Sequence, residues 1–266
     1  MSEHHWLSRI SPRPELQPKN LIKLEALNPY GQHQALCKLF NLPPKTHIPK
    51  PATPFLFRVE RIDSASPLAY AETKLQGLPV FYLLSAEKPE DTGDIWTIET
   101  KPFKPVITEG DRLAFKLRAN PIKLEKAERT AEEAAKWREN RLKLGYKDKE
   151  TPCKKRIRHD VVMDAKRNMN WDKIPMTSRP SLDAVAYEAG QEWLSARQEK
   201  LGCRFETCGL RVDGYNSWRH RNIEVSTLDF EGILTVLHPN LFMQEIYKGI
   251  GPAKAFGCGL LLVRRI

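Results

Sequence analysis

The stretch PNLFMQEIYKGIGPAKAFGCGLLLVRRI, residues 239–266, decides how the rest of the sequence is read. It predicts a short helix from about Pro239 to Lys248, a glycine-rich loop at 249–259 (GIGPAKAFGCG) and a final strand on the apolar run Leu260 to Val263. Four glycines, one proline and one lysine in eleven positions suit a loop that approaches phosphate closely. A nucleoside-triphosphate loop needs a lysine directly after a glycine, between a strand and a helix, whereas Lys254 follows Ala253 and precedes Ala255. A dinucleotide fingerprint needs strand, glycines, helix and a further strand. Here the order is helix, loop, strand, so no nucleotide cofactor is expected. Two readings of the loop stay open at this point: a tight turn whose glycines supply positive φ, or a phosphate-contacting loop.

Working back from that end, each half of the sequence approximates β-α-β-β-(α)-β. In the first half, HWLSRI (5–10), FLFRVERI (55–62), LPVFYLLSA (78–86) and IWTIET (95–100) read as strands, with a Pro-rich connection after the first. A helix runs from Pro29 through YGQHQALCKLF to Phe40, with Leu36, Leu39 and Phe40 on one face and Asn41 and Pro43-Pro44 ending it. PKTHIPKPATP reads as a loop. RLAFKLRANPI (112–122) opens the second half after the Gly110-Asp111 turn, which puts a boundary near residue 108. EKAERTAEEAAKWRENRLKLG (125–145) predicts a solvent-exposed helix, and KDKETPCKKRIRHD a basic loop. A second helix is expected from Ser181, as N-cap, to Leu201, with Gly202 after it. FETCGLRV, a turn-rich DGYNSWRHRN and the strand STLDFEGILTV follow. The fold class is α+β: two tandem ferredoxin-like (RAMP/RRM-like) domains at 1–108 and 109–266, the C-terminal one enlarged by an insertion at about 124–180.

Composition narrows the partner. Lys plus Arg is 43 against 33 Asp plus Glu, a net charge of +10, which favours a polyanion over a small neutral substrate. No apolar run approaches the length of a membrane span, and MSEHHWLSRISPRPE lacks a secretory apolar core, so a cytoplasmic protein with no membrane partner is expected. Cys203 and Cys208 are the only close pair among five cysteines, and five of seven histidines are isolated, so no metal is expected.

Two basic clusters stand out: Lys154, Lys155, Arg156 and Arg158, and Arg219, His220 and Arg221 with Tyr215 and Trp218 beside them. Either is a solvated surface or an RNA grip. The second lies on an expected hairpin, a shape suited to holding an RNA helix by its phosphates and groove. His33, three residues after Tyr30 on the first helix, is a core or capping histidine or a proton-transfer group. RNA carries its own nucleophile, the 2′-OH. Its scission needs a base, an acid and positive charge at the phosphorus, roles that histidine, tyrosine, lysine and backbone N–H groups can fill without a metal or cofactor.

Together FLFRVE (55–60), FKLRANPIK (115–123), FEGILT (230–235), GIGPAKAFGCGLL (249–261) and the Tyr30-x-x-His33-Gln34 pattern resemble the CasE branch of the CRISPR repeat-RNA endoribonucleases, of the RAMP superfamily. The resemblance covers both halves of the chain. It implies tandem ferredoxin-like domains and metal-independent cleavage of CRISPR precursor RNA at the base of the repeat hairpin, leaving a 5′-hydroxyl and a cyclic 3′-phosphate. The product stays bound and the enzyme joins the other Cascade subunits. By motif position His33 matches the catalytic histidine and Tyr30 the assisting tyrosine. The implied RNA contacts are Gly249, Gly251, Lys254, Gly257 and Gly259 in the loop, Arg118 and Lys123 in FKLRANPIK, Lys155, Arg156 and Arg158, and Arg219 and Arg221. The alternative in a different class is a non-catalytic RNA-binding scaffold subunit of the same complex.

Overall fold

The computed structural model describes residues 5–40, 55–61, 77–91, 93–220 and 223–266. The loop expected at PKTHIPKPATP lies outside the described residues.

The first half forms a four-stranded antiparallel sheet of β1 (His5–Pro12), β2 (Phe55–Arg61), β3 (Pro79–Ser85) and β4 (Trp96–Phe103), in the order β2-β3-β1-β4. That is the strand order of a ferredoxin-like β-α-β-β-α-β unit. Strand alternation explains its apolar face: Phe55 and Phe57 on β2, Phe81 and Leu83 on β3 and Ile10 on β1 are fully buried together. Two helices follow β1: α1 (Pro18–Glu25), which the Pro-rich connection does not announce, and α2 (Pro29–Cys37). α2 lays Leu36 on that face, with Leu39 and Phe40 just beyond its end. The helix expected to reach Phe40 stops at Cys37. Its last turn tightens instead, the N–H groups of Lys38, Leu39 and Phe40 each donating three residues back. Between β3 and β4 the described residues hold no helix.

The second half repeats the plan in full. β5 (Arg112–Ala119), β8 (Cys203–Phe205), β9 (Arg211–His220), β10 (Ile223–Val236) and β11 (Leu261–Arg265) form a sheet in the order β11-β5-β10-β8, with β9 also on β10. α5 (Leu182–Ser195) and α6 (Gln198–Leu201) precede β8, and α7 (Pro239–Lys248) lies between β10 and β11. The helix expected over 181–201 is thus two. Ser181 Oγ accepts from the Ala184 N–H at 3.1 Å, and Gly202 ends α6 in the left-handed region at φ 64°. The described residues of the expected turn, DGYNSWRH, are instead part of the strand β9. Gly214, at φ 64°, sits where the β9–β10 register shifts, so the turn composition marks a bulge.

By contacts the chain divides into residues 1–120 with 194–266, and residues 121–193. The second unit contains a two-stranded ribbon, β6 (Ile122–Glu128) with β7 (Lys154–Asp160), and the helices α3 (Ala131–Lys143) and α4 (Val161–Asn168). Two expectations are corrected here. The helix expected from residue 125 begins at Ala131, behind a capping box in which Thr130 and Glu133 satisfy each other's backbone N–H, and Glu125 to Glu128 are strand. The basic segment expected as a loop ends in β7, because its backbone is paired along β6. The domain boundary near residue 108, between β4 and β5, stands as a proposal.

Candidate active site

α2 is set by its entry. Pro29 supplies the helical φ at the first position, and Asn28 caps the start by accepting from the Gly31 N–H at 2.8 Å. A spacing of three then puts Tyr30 and His33 on one face of the helix, both half-buried. The His33 ring lies against the edge of the apolar core, 5.4 Å from Phe55 and stacked 6.2 Å from Phe57 between centroids. One turn on, the Cys37 Sγ is 3.6 Å from His33 Nε2. Gln34, the third residue of the pattern, is exposed.

The glycine loop is built to lie against this helix. Its ends are pinched together where the Ile250 N–H donates to the Gly259 carbonyl at 2.9 Å, and the Gly259 N–H donates to the Arg118 carbonyl on β5 at 2.7 Å. Gly249 has φ 78° and ψ 146°, and a Cβ there would stand 2.7 Å from Leu56 Cδ2. Gly257, at φ 79°, passes over the core so closely that a Cβ would be 3.2 Å from the Phe57 ring. Phe57 therefore touches both His33 and the loop. The intervening single turn Lys254–Phe256 carries Phe256 to 6.3 Å from Tyr30 and, edge-on, 4.9 Å from Trp218 of β9. The loop thus joins the Tyr30–His33 face to the β9–β10 hairpin through one aromatic side chain.

Lys254 Nζ donates to the Lys248 carbonyl at the end of α7, and burial together with the neighbouring Lys248 charge lowers its pKa. That places a cation at the exposed carbonyl end of a helix, beside the loop. Gly251 has φ 77°. Arg219 is exposed near the tip of the β9–β10 hairpin, opposite Glu224, while Arg221 lies outside the described residues.

Arg118 is placed differently from its expected role. Its Nε and Nη2 donate to Asp229 at 3.1 and 2.7 Å, and Arg58, only 3% exposed, holds the other Asp229 oxygen at 2.9 Å and also pairs with Glu60. A buried Arg58–Asp229–Arg118 cluster of this kind is not visible in sequence, because it joins β2, β10 and β5. Lys123, Lys155, Arg156 and Arg158 belong to the 121–193 unit. There Lys123 is 3.5 Å from Asp164 and Lys155 pairs with Glu133, while Arg156 and Arg158 are exposed. Sequence reasoning does not single out Phe256 or Cys37. The four-residue spacing from His33 to Cys37 is the one local signal that points to the latter.

Among the described residues no group of His, Cys, Asp and Glu converges as a metal site, and no helix is long and apolar enough to cross a membrane. The five cysteines are free thiols, and burial pushes Cys203 and Cys258 up to about 12.

A family model described as CRISPR associated protein matches residues 5–265. The chain belongs to the CRISPR associated protein family. It is 28% identical over 236 residues to the CRISPR system Cascade subunit CasE of Escherichia coli (strain K12), covering 87% of this chain and 89% of that protein. It is 25% identical to the CRISPR-associated endoribonuclease Cse3 of Thermus thermophilus, covering 97% and 99% respectively. Among solved structures it is similar to Thermus thermophilus Cse3 bound to an RNA representing a pre-cleavage complex, with a TM-score of 0.58, 21% identity and 98% and 99% coverage. That likeness supports the tandem ferredoxin-like fold.

The geometry yields a first expected result. Gly249 occupies a backbone region open almost only to glycine, so Gly249→Ala should cost about 1–3 kcal/mol. Thermal unfolding measures it, and a melting temperature equal to that of the unsubstituted protein would contradict this reading of the loop.

Proposed function

We propose that this chain is a CasE-type, metal-independent endoribonuclease. It cleaves CRISPR precursor RNA at the base of the repeat hairpin, keeps the product, and serves in the cytoplasm as a Cascade subunit. The observation that carries the reading is the juxtaposition of Tyr30 and His33, on one helix face, with a glycine loop that reaches the same core ring and the hairpin aromatic Trp218. The names of the two relatives, a Cascade subunit and a CRISPR-associated endoribonuclease, support it.

In the reaction the 2′-oxygen bonds to phosphorus and the bond from phosphorus to the 5′-oxygen breaks. The proton leaves the 2′-OH and one is delivered to the departing 5′-oxygen, giving a 2′,3′-cyclic phosphate and a 5′-hydroxyl. Nothing is oxidised. His33, half-exposed at the lip of the core, carries one of those protons, since imidazole titrates near working pH. The phenol of Tyr30, one turn away, orients the phosphate or the attacking hydroxyl. Loop N–H groups and the Lys254 charge stabilise the negative oxygens as they develop. The hairpin bearing Arg219 holds the RNA stem.

The decisive experiment uses the repeat RNA from the array beside the gene, under single turnover in EDTA. Cleavage is expected at one phosphodiester. A 2′-deoxy substitution at the nucleotide preceding it should abolish product while leaving binding intact. Strict dependence on added divalent metal, or undiminished cleavage of the deoxy substrate, would overturn the mechanism. Tight binding with no product from either RNA would leave a scaffold subunit in its place.

A further inference from the structure

The β6–β7 ribbon of the 121–193 unit has two chemically different faces. Its register sets Leu124 opposite Arg158, Lys126 opposite Arg156 and Glu128 opposite Lys154. Opposed residues share a face of an antiparallel pair, and faces alternate along each strand. These six therefore lie on one side, and all six are exposed. The other side is engaged within its own unit: Lys123 lies 3.5 Å from Asp164, Lys155 pairs with Glu133, and His159 is 3.0 Å from Glu125. On the open side Lys126, Lys154, Arg156 and Arg158 form no ion pair among the described residues. Four cations thus stand against the single carboxylate of Glu128.

This side is built rather than frayed. Arg129 closes the open end of the ribbon, donating to the Pro152 carbonyl at 2.6 Å and the Lys154 carbonyl at 2.8 Å, and its guanidinium lies 5.5 Å from the centre of the Trp137 ring. A shallow concavity is lined by Lys126, Arg129, Pro152, Lys154 and Arg156. Same-face residues along a strand recur about every 7 Å, a spacing of the order that separates successive phosphates on an extended nucleic-acid strand. Leu124 is the only large apolar side chain on the face. The centre of a stable protein interface is depleted in charge and in lysine particularly, so a protein partner fits poorly.

We infer that this face is a second nucleic-acid site. It grips phosphate backbone without reading sequence, and it is separate in composition and fold position from the loop and hairpin assigned to the repeat. The inference goes beyond the nuclease reading and does not depend on cleavage.

Its test is equilibrium binding in EDTA with 2′-deoxy-substituted RNA, so that turnover cannot intervene. The quadruple variant K126Q/K154Q/R156Q/R158Q is compared with the unsubstituted protein on three probes: the minimal repeat hairpin, the hairpin with single-stranded flanks, and single-stranded DNA. On at least the flanked RNA, affinity should fall about tenfold, and the slope of log Kd against log salt should drop by about 2–3, near 0.7 for each phosphate released by a single strand. Loss confined to flanked RNA assigns the site to the flanks, and loss on all three assigns it to any single or double strand. R156Q/R158Q alone should lose about half as much slope, which keeps the test valid if the quadruple variant folds poorly, and R156K/R158K should lose little. Unchanged affinity and slope on every probe would overturn the inference. So would normal nucleic-acid binding combined with lost association with Cascade subunits, which would make the face a protein contact.

Discussion

Replacing His33 by alanine is expected to slow single-turnover cleavage of the repeat hairpin by about 10²–10⁴-fold, the contribution usual for a positioned acid or base. Binding should change little, because the RNA contacts are assigned to the loop and the hairpin. The geometry also gives the substitution a structural cost that has to be separated. The imidazole packs against Phe55 and Phe57, so alanine leaves a small gap at the edge of the core. Two readouts separate chemistry from packing. A melting curve reports the gap, and added imidazole should restore part of the rate in His33→Ala because the site is half-exposed and can admit it. His33→Gln fills more of the space and carries no titratable proton, so it should recover stability without recovering rate. Cleavage by His33→Ala within a few-fold of the unsubstituted rate, with normal binding, would remove His33 from the mechanism.

The parts of this arrangement that are legible in sequence are those whose cause is local. β5 reads as a strand because RLAFKLRA alternates, and the structure buries Leu113, Phe115, Leu117 and Ala119 in turn. α2 reads as a helix because Pro29 starts it and its one apolar stripe ends at Phe40. The Tyr30–His33 pair follows from that helix alone. β7 escapes because KKRIRHD has one apolar residue, Ile157. What makes it a strand is the backbone pairing with β6, about thirty residues away, and not its side chains. β9 escapes for a related reason: its glycine and asparagine suggest a turn, but the fourteen-residue β10 supplies a partner along its whole length. The glycine loop shows both limits. Its glycines announce a special backbone, yet its contact with His33 runs through Phe57, and its contact with the hairpin runs from Phe256 to Trp218. Those pairings exist only once two sheets are formed.

The largest effect on stability is expected at a residue that sequence gives no reason to choose. Asp229→Ala should destabilise the protein by about 3–5 kcal/mol, the cost of leaving a buried cation without its partner, and lower Tm by about 10 °C. Arg58 is 3% exposed and Asp229 is 2.9 Å from its Nη1, while Arg118 forks onto the same carboxylate. Removing the carboxylate strands both guanidinium groups, with Glu60 the remaining partner of Arg58. Gly214 belongs to the same device, since a Cβ there would stand 3.1 Å from the Asp229 carboxylate; the β9 bulge makes room for it. Arg118→Ala should cost less, because Asp229 keeps Arg58 and the Arg118 side chain is 27% exposed. The comparison also separates two roles for Arg118. If it contacts RNA directly, Arg118→Ala weakens binding while Asp229→Ala, which frees the guanidinium, does not. If it instead organises β5, whose Arg118 carbonyl accepts from Gly259, both substitutions loosen the base of the glycine loop and depress cleavage together, measured well below either melting transition. The bidentate pairing favours the second role. A Tm for Asp229→Ala within about 2 °C of the unsubstituted protein, under 1 kcal/mol on that scale, would show that the cluster does not hold the two sheets as described.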